Sequence, residues 1–294
     1  MKIRGVFLFI LLISFVFSNK ALAKGDIIAE ILELSGTNKD IDTIPEDIRS
    51  TLAGIESQNK NLSAEDFKKV SKNIVNSFQV KEIYQKVYHR LSSNLEPGMS
   101  SALLTILKDP LVRKMTLMEM AASRPGFSKE LEKFELDLKS NPPDPARLTL
   151  VLRLDRELNA EEKMVEVQMA VYKGIFNVLN SVNPPDKKLS RSQMDEVFDR
   201  MGKGFEKNAK NFIEMFYLYI YKTASDQELA RYINISGTEE SKRFNQLVNE
   251  GIVEAITGAG EKALKSAGQA PMVKSSTDLP SRTPMPVRKA PRRS

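Results

Sequence analysis

An all-α fold, a multi-helix array built from two related helical halves with a disordered C-terminal tail, is predicted by three features of this 294-residue chain. Apolar residues recur at three- and four-residue spacing through most of residues 26–256, with little of the two-residue alternation that marks half-buried strands. Ser, Thr, Asp and Pro stand where that period begins or breaks, as helix starts and stops require. The pattern of residues 83–118 also returns 129 positions later, the mark of an internal repeat.

Residues 1–23 have the form of a secretory signal peptide, with Lys2 and Arg4, an apolar run over 6–17 and the small-x-small string Ala21-Leu22-Ala23. The run is shorter than the roughly 20 apolar residues a membrane span needs. Cleavage after Ala23, export to a periplasm and no transmembrane segment in the mature chain are therefore expected. With no cysteine in the chain, lipid attachment behind the cleavage site, disulfides and thiolate metal sites are excluded.

Removing Lys2, Arg4 and Lys20 lowers the formal charge from +6 to +3. Residues 266–294 hold six basic residues and one acid, +5, which leaves the body near −2. The body is not a basic domain, so nucleic acid is not an expected partner.

The N-terminal half is placed at 24–141. Its first helix is predicted over residues 26–34, with Ile27, Ile28, Ile31 and Leu32 inward. A polar connection follows, and Pro45 opens the next helix, where its missing N–H costs nothing, with Ile48, Leu52 and Ile55 buried. Ser63 starts a helix carrying Phe67, Val70, Ile74 and Phe78, and the first repeat copy starts near Val80. Pro97, Pro110 and Pro125 punctuate that copy, and a further amphipathic helix spans 127–138.

Asn141-Pro142-Pro143-Asp144-Pro145 cannot continue a helix and forms the hinge. The C-terminal half, 146–265, opens with helices carrying Leu148, Val151, Leu152 and Leu158, then Met164, Val167, Val171, Ile175 and Leu179. Residues 212–221, with Glu214 their single charge, form a core helix at the centre of the fold. Ser225 and Glu228 make a capping box for a helix with Leu229, Tyr232 and Ile233 inward. Gly237 supplies a left-handed stop. Thr238-Glu239-Glu240 then opens a helix with Phe244, Leu247, Val248, Ile252 and Ile256 on one face.

The repeat aligns Ile83 with Phe212, Val87 with Phe216, Tyr88 with Tyr217, Leu91 with Ile220, Leu104 with Ile233, Met115 with Phe244 and Met118 with Leu247. The basic pair Arg113-Lys114 falls on Lys242-Arg243 without a gap. The strings Ala224-Ser225-Asp226-Gln227-Glu228-Leu229-Ala230-Arg231-Tyr232-Ile233 and Gly237-Thr238-Glu239-Glu240-Ser241-Lys242-Arg243-Phe244 resemble the bacterial exported family known as domain of unknown function 2059. The family-like block covers about residues 207–257. Thr238, Glu239 and Ser241 stand where the family has serine, proline and glycine, and the earlier copy keeps the proline in Asp109-Pro110-Leu111. The resemblance implies an envelope-located helical fold and carries over no catalytic residue.

No string supports catalysis or a cofactor. Residues 253–260 imitate a dinucleotide turn, but Lys262 and Leu264 occupy glycine positions, so a fraying helix end with flexible glycines is expected. Gly98-Met99-Ser100 follows a helix start, not the strand of a nucleophile elbow, and Ser57-Gln58-Asn59-Lys60 lacks the companion motifs of penicillin-recognising enzymes. His89 is the only histidine and reads as a helix-surface or interface residue, since one imidazole builds neither an ordinary His-rich zinc site nor a histidine-dependent triad. Glu161-Glu162 and Glu239-Glu240 complement helix dipoles. Phe212, Phe216, Tyr217, Tyr219 and Tyr221, with Met194, Met201 and Met215, are expected as core, with an amphiphile pocket as the alternative.

The tail, 266–294, is rich in Pro and polar residues and is expected to be disordered. Its Arg282, Arg288, Lys289, Arg292 and Arg293 offer a contact to an anionic envelope surface or an envelope protein. The expected function is a non-catalytic binding or envelope-maintenance module. A carboxylate-based hydrolase of an envelope polymer is the competing expectation, and two carboxyl groups of raised pKa in a shared cleft would be its sign.

Overall fold

A computed structural model of the protein describes residues 26–59, 61–123 and 126–269. The predicted signal peptide and the basic tail residues Arg282, Arg288, Lys289, Arg292 and Arg293 lie outside the described residues. The fold is all-α: twelve α-helices, and no strand among the described residues. The helices are α1 (Ile27–Leu34), α2 (Thr37–Glu56), α3 (Ala64–Ser77), α4 (Val80–Asn94), α5 (Pro97–Leu107) and α6 (Pro110–Met120), followed by α7 (Phe127–Ser140), α8 (Pro145–Leu158), α9 (Ala160–Val182), α10 (Arg191–Ile220), α11 (Asp226–Ser236) and α12 (Glu239–Gln269).

Local chemistry accounts for most boundaries. Asp26, Ser63, Asp109 and Asp144 accept backbone N–H groups at the starts of α1, α3, α6 and α8, offsetting part of the unpaired first turn. Pro97, Pro110 and Pro145 each occupy the first turn of a helix. Ser225 and Glu228 form the expected reciprocal cap of α11, and Ser190 with Gln193 makes another for α10.

The structure corrects four expectations. Helix α2 begins at Thr37, and Pro45 lies inside it. Proline gives no N–H to the Ile41 carbonyl one turn back, but Ile41, Ile44 and Ile48 bury on either side of it. Helix α10 starts 21 residues before Phe212, at Arg191, because Phe205 and Phe198 pack on Tyr172 and Phe176 of α9 with ring centroids 5.0 and 6.5 Å apart. Gly237 is right-handed, φ −79°; its lack of a side chain instead admits Glu157, whose Oε2 would lie 3.0 Å from an added Cβ. The glycines near residue 258 do not fray a helix end, since α12 runs on to Gln269.

The most extensively packed helix is α12, which lies across α9 and α4 and also meets α3 and α5. Two glycines allow this. A Cβ on Gly260 would sit 2.8 Å from the Gly174 Cα of α9, and one on Gly251 would sit 2.9 Å from the Val87 Cα of α4. Backbones this close exclude every other residue. Lys86 and Arg90 bridge to Glu254 at 2.9 and 2.8 Å, and Lys262 to Glu82 at 2.7 Å. These pairs are exposed, so they set axial register more than stability. One hydrophobic cluster extends from Ile28 to Ala267 and draws on helices before and after the 141–145 connection.

Gly260→Ala should destabilise the fold, because overpacking costs about 1–3 kcal/mol against a gain in helix propensity of about 1 kcal/mol. Gly258→Ala, where nothing lies within 4 Å of the added atom, should instead stabilise by about 0.5–1 kcal/mol. Urea unfolding of both variants checks the close crossing, and equal stabilisation by both would rule it out.

Candidate functional site

Nine polar or charged residues are buried among the described residues. Thr51, Ser77 and Ser100 need no ligand, because each hydroxyl gives its proton to the carbonyl four residues back at 2.9, 3.0 and 3.1 Å. The other six, Thr37, Asp40, Thr116, Gln168, Ser236 and Ser241, all line one cavity of about 260 Å³. Thr37 and Ser241 also have partners in the protein, Ser35 Oγ at 2.8 Å and Thr238 Oγ1 at 3.0 Å; desolvated polar groups are costly, so Asp40, with its unpartnered oxygen, stands out among the six.

Each of these residues lies on an otherwise apolar helical stripe. Asp40 precedes Ile44 and Ile48 on α2, Thr116 and Glu119 follow Val112 on α6, and Gln168 lies between Met164 and Val171 on α9. The burial of the neighbouring apolar residues fixes the direction of the polar ones. Phe216 and Tyr217 of α10, Tyr232 of α11 and Phe244 of α12 add aromatic walls.

Glu119 is the hub. Its Oε1 accepts hydrogen bonds from the Tyr221 and Tyr232 hydroxyls, the latter at 2.8 Å. Glu119 retains some accessible surface, and it lines the cavity deep among protein atoms. Burial raises its pKa, opposed by the two phenols that stabilise the carboxylate. Burial pushes the phenols of Tyr217, Tyr221 and Tyr232 well up, with the Glu119 charge second. They therefore remain donors at neutral pH.

Asp40 has no such support. It is 8 % exposed, and its Oδ1 is sealed from solvent without a hydrogen-bond partner. Burial raises its pKa well above the ordinary carboxylate range, with the Glu119 and Asp42 charges adding to the effect. Lys163 also lines the cavity. Burial lowers its pKa to about 8, opposed by Glu166 and Glu162, and its Nζ donates to the Leu158 carbonyl at 2.6 Å.

The cavity follows the 129-residue register. Helices α5 and α11, 97–107 and 226–236, match end to end at that offset, and α6 and α12 start at 110 and 239. Leu103, Ile106, Leu107, Val112, Thr116 and Glu119 are the lining residues of α5 and α6, and each falls on a lining residue of α11 or α12: Tyr232, Ile235, Ser236, Ser241, Asn245 and Val248. The helices also pack crosswise, α5 against α12 and α6 against α11. Lys114–Glu228 at 2.6 Å and Arg231–Asp109 at 2.7 Å pin the second contact.

The sequence reading gave none of Asp40, Glu119, Gln168 or Lys163 a role. The available signal was a polar residue on an apolar stripe, visible only once the true start of α2 and the inward faces of α6 and α9 are fixed. The aromatic and methionine group divides: Phe216 and Tyr217 line the cavity, Tyr221 serves it through Glu119, and Met194, Met201 and Met215 lie elsewhere. His89 is exposed on α4, its Nδ1 3.0 Å from Ser93 Oγ, in an open groove where Lys86 and Arg90 pair with Glu254. Ser100 is packed within its helix. Among the described residues no three His, Asp or Glu side chains converge as metal ligands, and no helix is long and apolar enough to cross a membrane.

No family model matches the chain, and neither the curated proteins nor the solved structures give a match.

These carboxyl groups predict an inverted pH response. Asp40 and Glu119 are raised, and Asp47 is raised to about 7 by burial against its Thr43 hydrogen bond. A carboxyl whose folded pKa exceeds its unfolded value binds more protons when folded, so stability falls as pH rises from the unfolded value through the folded one. The thermal midpoint should therefore drop between pH 5 and 7.5, and Asp40→Asn should flatten the drop. Calorimetry across that range checks this, and a midpoint that climbs with pH in the wild type would contradict it.

Proposed function

We propose that this is an exported envelope protein that binds a small molecule in the cavity between α2, α5, α6, α8, α9, α10, α11 and α12. The convergence of six of the nine buried polar residues on that space carries the reading. About 260 Å³ lies just below the roughly 300–1,000 Å³ of most ligand pockets, which suits a compact ligand. Mixed aromatic and polar walls supply contact area and orientation.

Export rests on the leader form of residues 1–23, and the envelope setting on that leader and the resemblance to the 2059 family. Duplication of one helical unit belongs to the same proposal, supported by the matched helix starts and cavity-lining positions. The basic tail is proposed as an accessory contact to an anionic envelope surface.

A hydrolase reading draws support from Asp40 and Glu119, two carboxyl groups of raised pKa in one cavity. Paired-carboxylate hydrolysis, however, needs one group protonated and the other ionised, which requires environments that push the pair apart. Burial raises both here, Asp40 well up and Glu119 against two phenols that favour its carboxylate, so the pair is split in that sense. Binding of a compact ligand is the stronger reading because a space of about 260 Å³ is small for a polymer chain.

Purified full-length protein, denatured and analysed by mass spectrometry, should release one small molecule near stoichiometrically. A Val248→Phe/Ser241→Leu double variant, which fills the cavity, should lose it while keeping its helical circular dichroism. Retention of the same molecule by the filled variant would remove the cavity from the proposal. For the tail, changing Arg282, Arg288, Lys289, Arg292 and Arg293 to Gln should abolish low-salt sedimentation with vesicles containing phosphatidylglycerol. Unchanged sedimentation would place any such contact on the helical body.

A further inference from the structure

We propose that the cavity selects a compact organic cation, an ammonium or guanidinium group on a small apolar body, with Asp40 as its principal acceptor and Glu119 beside it. This rests on the small-molecule reading and names the ligand class for the same site.

The argument begins with Asp40. A carboxylate sealed from solvent with an oxygen that meets no donor is among the least favourable groups a core can hold. Asp40 lines the cavity and keeps 8 % of its surface accessible, so a ligand N–H donor meets the carboxyl from that side, and a rotation of the carboxyl group brings the sealed oxygen to it. Glu119 spends one oxygen on the Tyr221 and Tyr232 hydroxyls, and a carboxylate has about four acceptor positions. It therefore keeps capacity for a ligand donor while the phenols hold it in place.

The charges around the space favour a cation. Glu119 faces Asp40 from α6, and Asp42 adds negative charge from its own helix. Helix α9 contributes Lys163, already donating to the Leu158 carbonyl and attracted to Glu162 and Glu166. Tyr217 from α10 and Tyr232 from α11 are neutral phenols, and α5 and α12 supply no titratable lining residue. Phe216, Tyr217, Tyr232 and Phe244 line the space, and a cation is drawn to aromatic π-systems. A bare metal ion fits less well, since no three acidic or imidazole ligands converge among the described residues.

The internal register gives the ligand a direction. Glu119 occurs where the matching position holds Val248, and Ser236 and Ser241 occur where the first copy holds Leu107 and Val112. Both acids lie on the α2 and α6 side, with the Thr37 and Thr116 hydroxyls beside them, and the α11 and α12 lining holds no acid. The charged group of the ligand is assigned to the first side and its uncharged body to the second.

Because burial raises both acids, cation binding should expel a proton. The affinity should rise with pH until the acids are ionised in the free protein.

The test uses calorimetric titration of the full chain with cyclohexylammonium and 1,4-diaminobutane as cations, and with cyclohexanol and cyclohexanecarboxylate as neutral and anionic counterparts. The cations should bind, with proton release read from buffers of different ionisation heat, and the counterparts should not. Asp40→Asn should weaken cation binding by about ten- to a hundredfold, the worth of a charge-assisted hydrogen bond. Lys163→Gln should not weaken it. Glu119→Gln, which keeps the shape, should lower affinity while leaving the circular dichroism intact. Binding of cyclohexanol or cyclohexanecarboxylate that survives Asp40→Asn would overturn the cation assignment and leave the small-molecule reading standing. No binding by any probe, together with no molecule released from the purified protein, would overturn both.

Discussion

The fold depends on two places where α12 meets its neighbours at backbone distance, Gly251 against Val87 of α4 and Gly260 against Gly174 of α9. Helices at ordinary separation are spaced by side chains, and their crossing is tunable by substitution. Where glycine removes the spacer, position is fixed by hard contact instead. Helix α12 is thereby locked to helices on both sides of the 141–145 connection, and the remaining elements arrange around that axis. Asn73, whose Nδ2 donates to the Ala263 carbonyl at 3.1 Å, ties α3 to the same rod.

The cavity is a consequence of this locking. With α12 held against α4 and α9, its first turns, carrying Ser241, Phe244 and Asn245, are carried across α5 and α11 at a fixed height. Side chains from eight helices then fill most, but not all, of the space between them. An apolar core would close such a gap with a larger aliphatic residue, because voids lose contact energy. Here the gap is bordered by Asp40, Thr116, Glu119 and Gln168, groups that are stable beside a polar partner or water and unfavourable against hydrocarbon. Desolvation raises the pKa of both acids, so each takes up a proton more readily than a surface carboxylate, which moderates the cost of burying them.

Much of the fold was legible in the sequence because helix punctuation is local. Ser63, Pro97, Pro110, Asp144 and the Ser225–Glu228 box act within one turn of where they stand, and each helix start they predict is present. The misreadings share one cause, tertiary burial overriding a local signal. Pro45 reads as a helix start until Ile41 and Ile44 are seen to be buried before it. Gly258 and Gly260 read as helix breakers until Gly174 is seen to need one of them. The site was less legible still. Asp40 and Glu119 are 79 positions apart in the chain, and nothing local distinguishes an acid on a core stripe from one on a surface stripe when the helix boundary is misplaced.

The 129-residue register bears on why the polar groups are distributed as they are. A symmetric pair of hairpins would present equal walls to a central space, and any acid would face its own copy. Two carboxylates directly opposed repel and share protons, which limits what such a space can hold. Exchanging Glu119 for Val248 at one of the paired positions, and Leu107 and Val112 for Ser236 and Ser241 at two others, removes that opposition and gives the cavity a charged side and a neutral side. Helix α5 packs on α12 and α6 on α11, the crosswise pairing that the proposed duplication would give, while the lining differs between the matched positions. On the duplication proposed above, the backbone of the repeat supplies the enclosure and the differences between its copies supply the specificity.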